Sequence, residues 1–242
     1  MELRERVALV TGAGRRVGRA IALGLAREGA RVAVHYNSAD AGAKAAVEEI
    51  KAAGGDARLF RADLADATAA SSLVDLVATE FGALDVLVNS ASVMERTPIG
   101  TVTPAMWDAI FAINVRAPFF AAQAAAARMG SAGAIVNIAD LAGLETWSAY
   151  VPHGISKAAV IQMTRALAHA LAPRVRVNAV APGAVLLPEH WDAAAADHLI
   201  ATTPLRRLGS PADVVQAVVY LLRADYVTGH TLVVDGGRHV RV

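Results

Sequence analysis

Short apolar runs alternate along the chain with longer, Ala-rich stretches of helical periodicity. The short runs predict strands at residues 7–11, 31–35, 57–61, 84–88, 134–138, 174–180 and 231–234. The longer stretches predict helices at residues 16–28, 40–53, 67–81, 104–129, 151–170 and 211–222. Strands that are apolar on both faces and separated by helices are typical of a parallel sheet covered on both sides. The pattern therefore predicts a single-domain α/β fold, a doubly wound, Rossmann-like parallel sheet of seven strands whose ligands bind beyond the carboxyl ends of the strands.

No internal repeat, low-complexity linker or change in composition marks a second domain, so residues 1–242 are expected to form one unit. The segment 182–203 is the longest stretch without clear strand character. It is a candidate mobile lid over the substrate, and a plain helical insertion is the alternative.

The composition fits a protein with a large buried sheet, because 55% of the residues are hydrophobic and 19% are charged. The formal net charge of +1 gives no reason to expect nucleic acid or an anionic membrane as a partner. Cysteine is absent, which excludes disulfides and thiolate catalysis, and the histidines lack metal-ligand spacing, so no metal is expected. Charged residues follow Met1 and no apolar run approaches a membrane span, so we expect a cytoplasmic protein without a signal peptide.

A Gly-rich turn follows the first predicted strand and opens the first predicted helix. Its glycines are Gly12, Gly14 and Gly18. Glycines let the backbone approach a pyrophosphate, and the helix N-terminus supplies N–H groups and a positive dipole end. The turn is therefore expected to bind the phosphates of a dinucleotide, with Arg15 and Arg16 facing them.

The end of the second predicted strand indicates which nicotinamide cofactor is bound. The sequence there is His35-Tyr36-Asn37-Ser38, without the Asp or Glu that would accept a hydrogen bond from a ribose 2′-hydroxyl. A carboxylate would repel a 2′-phosphate, whereas Arg15, Asn37 and Ser38 could hold one. The sequence therefore favours NADP(H) over NAD(H).

Six motifs in order along the chain resemble those of the short-chain dehydrogenase/reductases. They are the turn from Thr11 to Gly18, with Arg16 where the family has its middle Gly, then Asp63-Leu64, Asn89-Ser90-Ala91, Asn114, Pro182-Gly183 and residues 228–237. The resemblance implies an oxidoreductase that transfers hydride between NADP(H) and a C=O or C=N group. It also implies cofactor binding by Gly12, Arg15, Arg16, Val17, Gly18, Tyr36, Asn37, Ser38, Asp63, Leu64, Asn89, Ser90, Ala91, Lys157, Pro182 and Gly183.

Within that family the chain resembles most the pteridine reductases. That branch has Arg at the position of Arg16, a His-Tyr pair like residues 35–36, and Asp where most members have the catalytic Ser, which here is Asp140. The resemblance implies a pteridine-like substrate. Residues 93–94 are Val-Met where the branch has the aromatic residue that stacks on the pterin, so that contact is absent. A carbonyl reductase of the 3-oxoacyl-carrier-protein type is the alternative enzyme.

The motif Tyr150-Val-Pro-His-Gly-Ile-Ser-Lys157 resembles the family's catalytic helix, with His153 in the place of the catalytic Tyr. Residues four apart lie on one face of a helix, so His153 and Lys157 keep the family's geometry. The resemblance implies that Lys157 holds the nicotinamide ribose and that Asn114 anchors a proton-relay water. Asp140 stands thirteen residues before His153, which is the family's spacing for the remaining catalytic residue.

Three interpretations of this motif stay open. In the first, His153 donates the proton, because imidazole can do so near neutral pH, and Asp140 orients it or relays protons. In the second, Tyr150 or Asp140 itself is the donor. In the third, the protein is a regulatory protein that binds NADP(H) and catalyses poorly or not at all.

The resemblance further implies a homotetramer or homodimer that acts on a small-molecule substrate. The two long predicted helices, 104–129 and 151–170, would form the contact between copies. Their Ala-rich faces would permit close approach, and the high helix propensity of alanine is the alternative reason for those faces.

Overall fold

A computed structural model describes residues 1–187 and 193–240. Within these residues, seven parallel strands form one sheet in the order β3-β2-β1-β4-β5-β6-β7. The strands are β1 (Val7–Val10), β2 (Arg31–Tyr36), β3 (Ala57–Arg61), β4 (Val86–Asn89), β5 (Gly133–Ile138), β6 (Val175–Pro182) and β7 (Thr231–Val234). The predicted fold class is confirmed.

Helices connect the strands and cover both faces of the sheet. In the described residues they are α1 (Arg16–Arg27), α2 (Asp40–Ala52), α3 (Ala69–Phe81), α4 (Pro104–Phe111), α5 (Ala117–Arg128), α6 (Val151–Leu171), α7 (Ala193–Thr202) and α8 (Pro211–Arg223). Alternate side chains of β1 enter two separate cores. Ala8 and Val10 pack with α1, α2 and α8, whereas Val7 and Leu9 pack with α3, α5 and the end of α6. Both faces of β1 are buried, which explains why this strand is apolar at every position.

The strand order reverses at β1, whose sheet neighbours are β2 and β4. Doubly wound sheets bind their ligands at such a point, beyond the carboxyl ends of the strands. The fold therefore gathers the Gly-rich turn after β1 and the segments after β4 and β5 around one crevice.

The long helix predicted at 104–129 is interrupted in its middle. A π-helical turn, Ala112–Arg116, separates α4 from α5. Pro118 has no N–H to donate to the carbonyl of Asn114 four residues earlier, so the regular α-helical hydrogen bonding fails there. The wide turn carries Asn114 and contacts α6.

The helical stretch Pro104–Arg128 is long and apolar enough to cross a membrane by length and composition, with a mean hydropathy of 1.3. The expectation that no apolar run approaches a membrane span was therefore wrong. Half of the apolar part of this stretch is buried inside the fold, because α5 packs against α3 and β4. Burial in the core accounts for its apolar composition.

Part of the candidate lid is helical, since α7 occupies Ala193–Thr202. Residues 188–192, the middle of the candidate lid, lie outside the described residues. Leu199 of α7 lines the cavity described below, which places this helix beside the ligand crevice. Whether the segment moves stays a prediction.

Candidate active site

A cavity of about 800 Å³ opens at the carboxyl ends of the strands, and this volume is typical of ligand and cofactor pockets. The cofactor residues predicted from sequence that line it are Gly12, Arg15, Arg16, Val17, Gly18, Tyr36, Asn37, Ser38, Leu64, Ser90, Ala91, Lys157, Pro182 and Gly183. The predicted catalytic residues Asp140 and His153 line it as well. The fold therefore brings most of both predicted sets to one crevice.

Three predicted site residues, Asp63, Asn89 and Asn114, do not line this cavity. The carboxylate of Asp63 accepts the N–H of Ala65 at 3.0 Å. The buried amide of Asn89 donates to Asn137 Oδ1 at 2.9 Å, and Asn114 contacts the segment after β4. The side chain of Asp63 shapes its own loop, whereas those of Asn89 and Asn114 hold neighbouring segments in place.

The Gly-rich turn needs glycine where it passes closest to its neighbours. Gly12 has a φ of +68°, and a Cβ built there would lie 2.8 Å from Cα of Ala91. A Cβ on Gly18 would lie 2.3 Å from the carbonyl oxygen of Gly12. The first turn of α1 holds no acidic side chain, so its N–H groups and positive dipole end are available to a phosphate.

Thr11 joins the Gly-rich turn to the segment after β4. Its Oγ1 accepts the N–H groups of Ser90 at 3.0 Å and of Ala91 at 3.1 Å. These bonds hold Ser90 and Ala91 in the cavity wall. The sequence analysis named Thr11 as the first residue of the turn motif but gave it no role, although a hydroxyl where a strand ends is a signal that could have indicated this one.

Arg16 links the Gly-rich turn to the segment after β6. Its backbone adopts the left-handed region, with a φ of +49°, which costs a non-glycine residue about 1–2 kcal/mol. Its guanidinium donates to the carbonyl oxygen of Leu186 at 2.8 Å. Strain of this kind at a ligand crevice points to a role for the side chain.

The wall after β2 carries little negative charge. Tyr36, Asn37 and Ser38 line it, and among the described residues the cavity wall contains no carboxylate other than Asp140. Asp40, two residues beyond Ser38, is ion-paired with Lys44 at 2.7 Å. This region can therefore accept a phosphate without repulsion from an unpaired carboxylate in the wall.

His153 and Lys157 lie one turn apart at the start of α6, with only 1% and 3% of their surfaces exposed. Nδ1 of His153 lies 3.1 Å from the carbonyl oxygen of Val93. A carbonyl only accepts, so Nδ1 donates to it and neutral His153 keeps Nε2 as its free nitrogen. This Nε2 is buried, has no hydrogen-bond partner among the described residues, and lies 3.7 Å from Oδ2 of Asp140.

Asn114 holds the carbonyl group that orients His153. Its Oδ1 accepts the N–H of Val93 at 2.9 Å, and its Nδ2 donates to Val93 O at 2.9 Å and to Ser156 Oγ at 3.0 Å. With both N–H groups used, Nδ2 does not bond to Nδ1 of His153, 3.5 Å away. The carbonyl of Val93 was missed from sequence, because a backbone contact leaves no signature in residue type.

Lys157 donates to the carbonyl oxygen of Ile138 at 2.9 Å, which leaves two N–H groups of its ammonium for other acceptors. Burial lowers the pKa of Lys157 to about 8, and the nearby carboxylate of Asp140 opposes that shift. Asp140 itself accepts the N–H of Ala142 at 2.9 Å through Oδ1, which leaves Oδ2 facing His153. The three side chains thus form one cluster, in which the carboxylate of Asp140 lies near both His153 and Lys157.

Aromatic and basic side chains complete the cavity wall. The rings of Trp147 and Tyr150 meet edge to face with centroids 6.3 Å apart, and both residues line the cavity. Arg238 lines it too and donates to Thr202 Oγ1 at 3.2 Å. Arg238 was not predicted, because nothing local shows that residues after the last strand return to the crevice.

Comparison with known proteins assigns the family. Residues 12–239 match the family model described as enoyl-(acyl carrier protein) reductase. The chain is 37% identical over 241 residues to the 3-oxoacyl-[acyl-carrier-protein] reductase FabG of Staphylococcus aureus (strain Mu50). The aligned residues cover 96% of this chain and 98% of that protein.

Solved structures agree with this assignment. FolM alternative dihydrofolate reductase 1 from Brucella canis, complexed with NADP, is 32% identical with a TM-score of 0.94, covering 100% of this chain and 96% of that one. A blue fluorescent protein from a metagenomic library, in complex with NADPH, is 37% identical with a TM-score of 0.92. The match covers 98% of this chain and 99% of that one. The chain belongs to the short-chain dehydrogenase/reductase family of nicotinamide-dependent oxidoreductases.

Proposed function

We propose that the protein is an NADP(H)-dependent oxidoreductase that transfers hydride to or from a C=O or C=N group of a small molecule, with His153 as the proton donor or acceptor. The observation that carries this proposal is the position of His153 Nε2. It is buried in the cavity wall, unpartnered among the described residues, and beside Asp140. A free imidazole nitrogen in such a place can give or take a proton during catalysis.

The cavity residues fit a dinucleotide. Gly12 and Gly18 let the turn pack tightly against Ala91 and against itself, where a Cβ would clash with backbone atoms, and the start of α1 favours a phosphate. Arg15 and Arg16 would neutralise phosphate charge, and Lys157 would hold the nicotinamide ribose. When bound, NADP(H) supplies or receives the hydride.

The protein's own part in the reaction is proton transfer at His153. In reduction, the protonated ring gives its Nε2 proton to the substrate oxygen or nitrogen as the neighbouring carbon receives hydride, and the neutral ring remains. In oxidation, Nε2 takes that proton back. Val93 O holds the Nδ1 proton in both states, and the carboxylate of Asp140 stabilises the charged ring.

The preference for NADP(H) over NAD(H) is supported by charge. Asn37 and Ser38 can donate hydrogen bonds to a 2′-phosphate, and Arg15 can pair with it. The one carboxylate seen in the wall, Asp140, belongs to the His153 cluster. A 2′-phosphate therefore meets donors and no opposing charge among the described residues of that wall.

A pteridine-like heterocycle is the substrate that we propose. Arg16, Asp140 and the His-Tyr pair at 35–36 support it, as does the similarity to a structure named as a dihydrofolate reductase. A 3-oxoacyl thioester is the second candidate, because the FabG relative is slightly more similar in sequence. The two differ in shape, since one is a flat ring and the other a flexible chain.

One titration tests the proposal. NADPH and NADH are titrated while nicotinamide fluorescence is followed, with 7,8-dihydrobiopterin, a 3-oxoacyl thioester and a panel of ketones offered in turn. We expect NADPH to bind about tenfold or more tightly than NADH, and dihydrobiopterin to drive its oxidation. Turnover of the thioester alone would favour the second candidate. Binding without turnover would favour an NADP(H)-binding regulatory protein, and absence of NADPH binding would contradict the proposal.

We also propose that the protein assembles as a homotetramer or homodimer through α4, α5 and α6. Phe119 on α5 and Ile155 on α6 expose apolar surface that such a contact would cover. Light scattering with size-exclusion chromatography checks this proposal, and a monomer at micromolar concentration would contradict it.

A further inference from the structure

His35 is a buried polar residue near the end of β2, with 2% of its surface exposed. Its Nδ1 accepts the N–H of Gly12 at 3.0 Å, and its own carbonyl oxygen accepts the N–H of Ala13 at 2.8 Å. Its Nε2 donates to the carbonyl oxygen of Ala62 at 3.2 Å. The side chain and the backbone of one residue thus hold two consecutive peptides of the Gly-rich turn.

These contacts require one protonation state. An amide donor at Nδ1 needs a free lone pair there, and a carbonyl acceptor at Nε2 needs a proton there. Only the neutral ring with its proton on Nε2 satisfies both. Burial lowers the pKa of His35 to about 4, against a smaller opposing effect of the bond to Ala62, so this ring is neutral near pH 7.

The bond to Gly12 falls at the most constrained peptide of the turn. Gly12 combines a positive φ with close approach to Ala91, so its orientation decides where the following N–H groups point. Ala62 lies two residues before Leu64, and Tyr36 comes directly after His35. Both Leu64 and Tyr36 line the same cavity. The imidazole therefore ties together the three segments that surround one end of the cavity.

We infer that His35 is a positioning residue for the cofactor: it holds the Gly12 peptide so that the Gly-rich turn is shaped for a dinucleotide phosphate before the dinucleotide arrives. The inference rests on the proposed NADP(H) binding. In this inference His35 acts on the cofactor only by holding Gly12. It takes no part in proton transfer, which is the role of His153.

Two matched variants separate the two bonds. In H35N, the amide oxygen takes the place of Nδ1 and can accept from Gly12, while the bond to Ala62 is lost. In H35Q, the longer side chain can donate to Ala62 O but leaves Gly12 without its acceptor. F60L in β3, beside His35 in the sheet, removes buried volume without touching either bond and controls for general destabilisation.

NADPH affinity is measured for all four proteins by fluorescence. We expect H35Q to weaken NADPH binding about tenfold and to raise the KM for NADPH more than it lowers kcat, whereas H35N and F60L stay within about threefold of wild type. Equal affinity losses in H35N and H35Q, or a loss that follows the melting temperature across all variants, would overturn the inference.

Hydrogen exchange without cofactor gives an independent reading. We expect the amides of residues 11–18 to exchange faster in H35Q than in wild type, and not in H35N. Wild type that fails to bind NADPH would contradict the proposed function, while this exchange pattern would still support the role of His35 in shaping the turn. Unchanged exchange in H35Q would overturn that role, whatever the cofactor result.

Discussion

Nε2 of His153 lies 3.7 Å from Oδ2 of Asp140, and it is the ring nitrogen that Val93 leaves free. This separation is too long for a hydrogen bond and short enough for strong attraction once the ring is charged. Lys157, one turn further along α6, faces the same carboxylate. Asp140 is thus placed between two groups whose charge it favours.

Replacing Asp140 by Asn tests its part in proton transfer. The amide oxygen of the D140N side chain can still accept the N–H of Ala142, so the local backbone is kept, but the charge that favours protonated His153 is lost. We expect kcat for reduction to fall about 10- to 100-fold at neutral pH, within the usual range for general acid catalysis. Asp75→Asn removes a surface carboxylate paired with Arg128 and should leave kcat unchanged. A D140N enzyme as fast as wild type would exclude this role.

The rate should fall as pH rises through about 8. Lys157 has a pKa of about 8 in the folded protein, so it is an ammonium below that pH and loses a donor and its charge above it. Asp140 raises that pKa, so D140N should move the alkaline limb of kcat/KM to lower pH. Lys157→Arg keeps the charge throughout and should remove the limb from whatever activity remains. A limb that persists in K157R would assign it to another group.

We expect Arg16 to strengthen NADPH binding and to lower the free energy of unfolding. Arg16→Gly removes the left-handed strain together with the bond to Leu186, whereas Arg16→Ala keeps the strain and removes the bond. We expect both to weaken NADPH binding about tenfold, and urea unfolding should show R16G about 1 kcal/mol more stable than R16A. Equal stability of the two variants would show that the positive φ is not strained.

Acid should destabilise the protein through His35. The pKa of His35 is about 4 in the folded protein, and that of a His in an unfolded chain is about 6.5. As the pH falls, the unfolded chain therefore binds a proton at His35 before the folded protein does. Stability is therefore fully present above pH 6.5 and is lost as pH falls toward 4, by about 2 kcal/mol between pH 7.5 and pH 5. Urea unfolding of wild type and H35N at both pH values checks this, and the pH-dependent loss should be smaller in H35N by that amount. An identical loss in the two proteins would show that other groups cause it.

The fold could be predicted from the sequence because each strand is apolar on both faces, a pattern that a two-sided parallel sheet requires. The location of the site could be predicted as well, since the Gly-rich turn follows β1 and Asp140 follows β5, both at the carboxyl ends of strands. Contacts made by backbone atoms could not be predicted, as the Val93 carbonyl and the Gly12 peptide illustrate. His35 appeared only as half of a motif, because burial of its ring between three segments is a property of the folded chain.

The identity of the proton donor is tested most directly by single-turnover oxidation of bound NADPH in wild type, H153A and H153Y. We expect measurable turnover in wild type with dihydrobiopterin. We also expect a loss of about 100-fold or more in H153A without a matching loss of NADPH affinity, and no gain in H153Y. H153A as fast as wild type would assign the proton to Tyr150 or Asp140. An inert wild type that H153Y converts into an active reductase would contradict catalysis by His153.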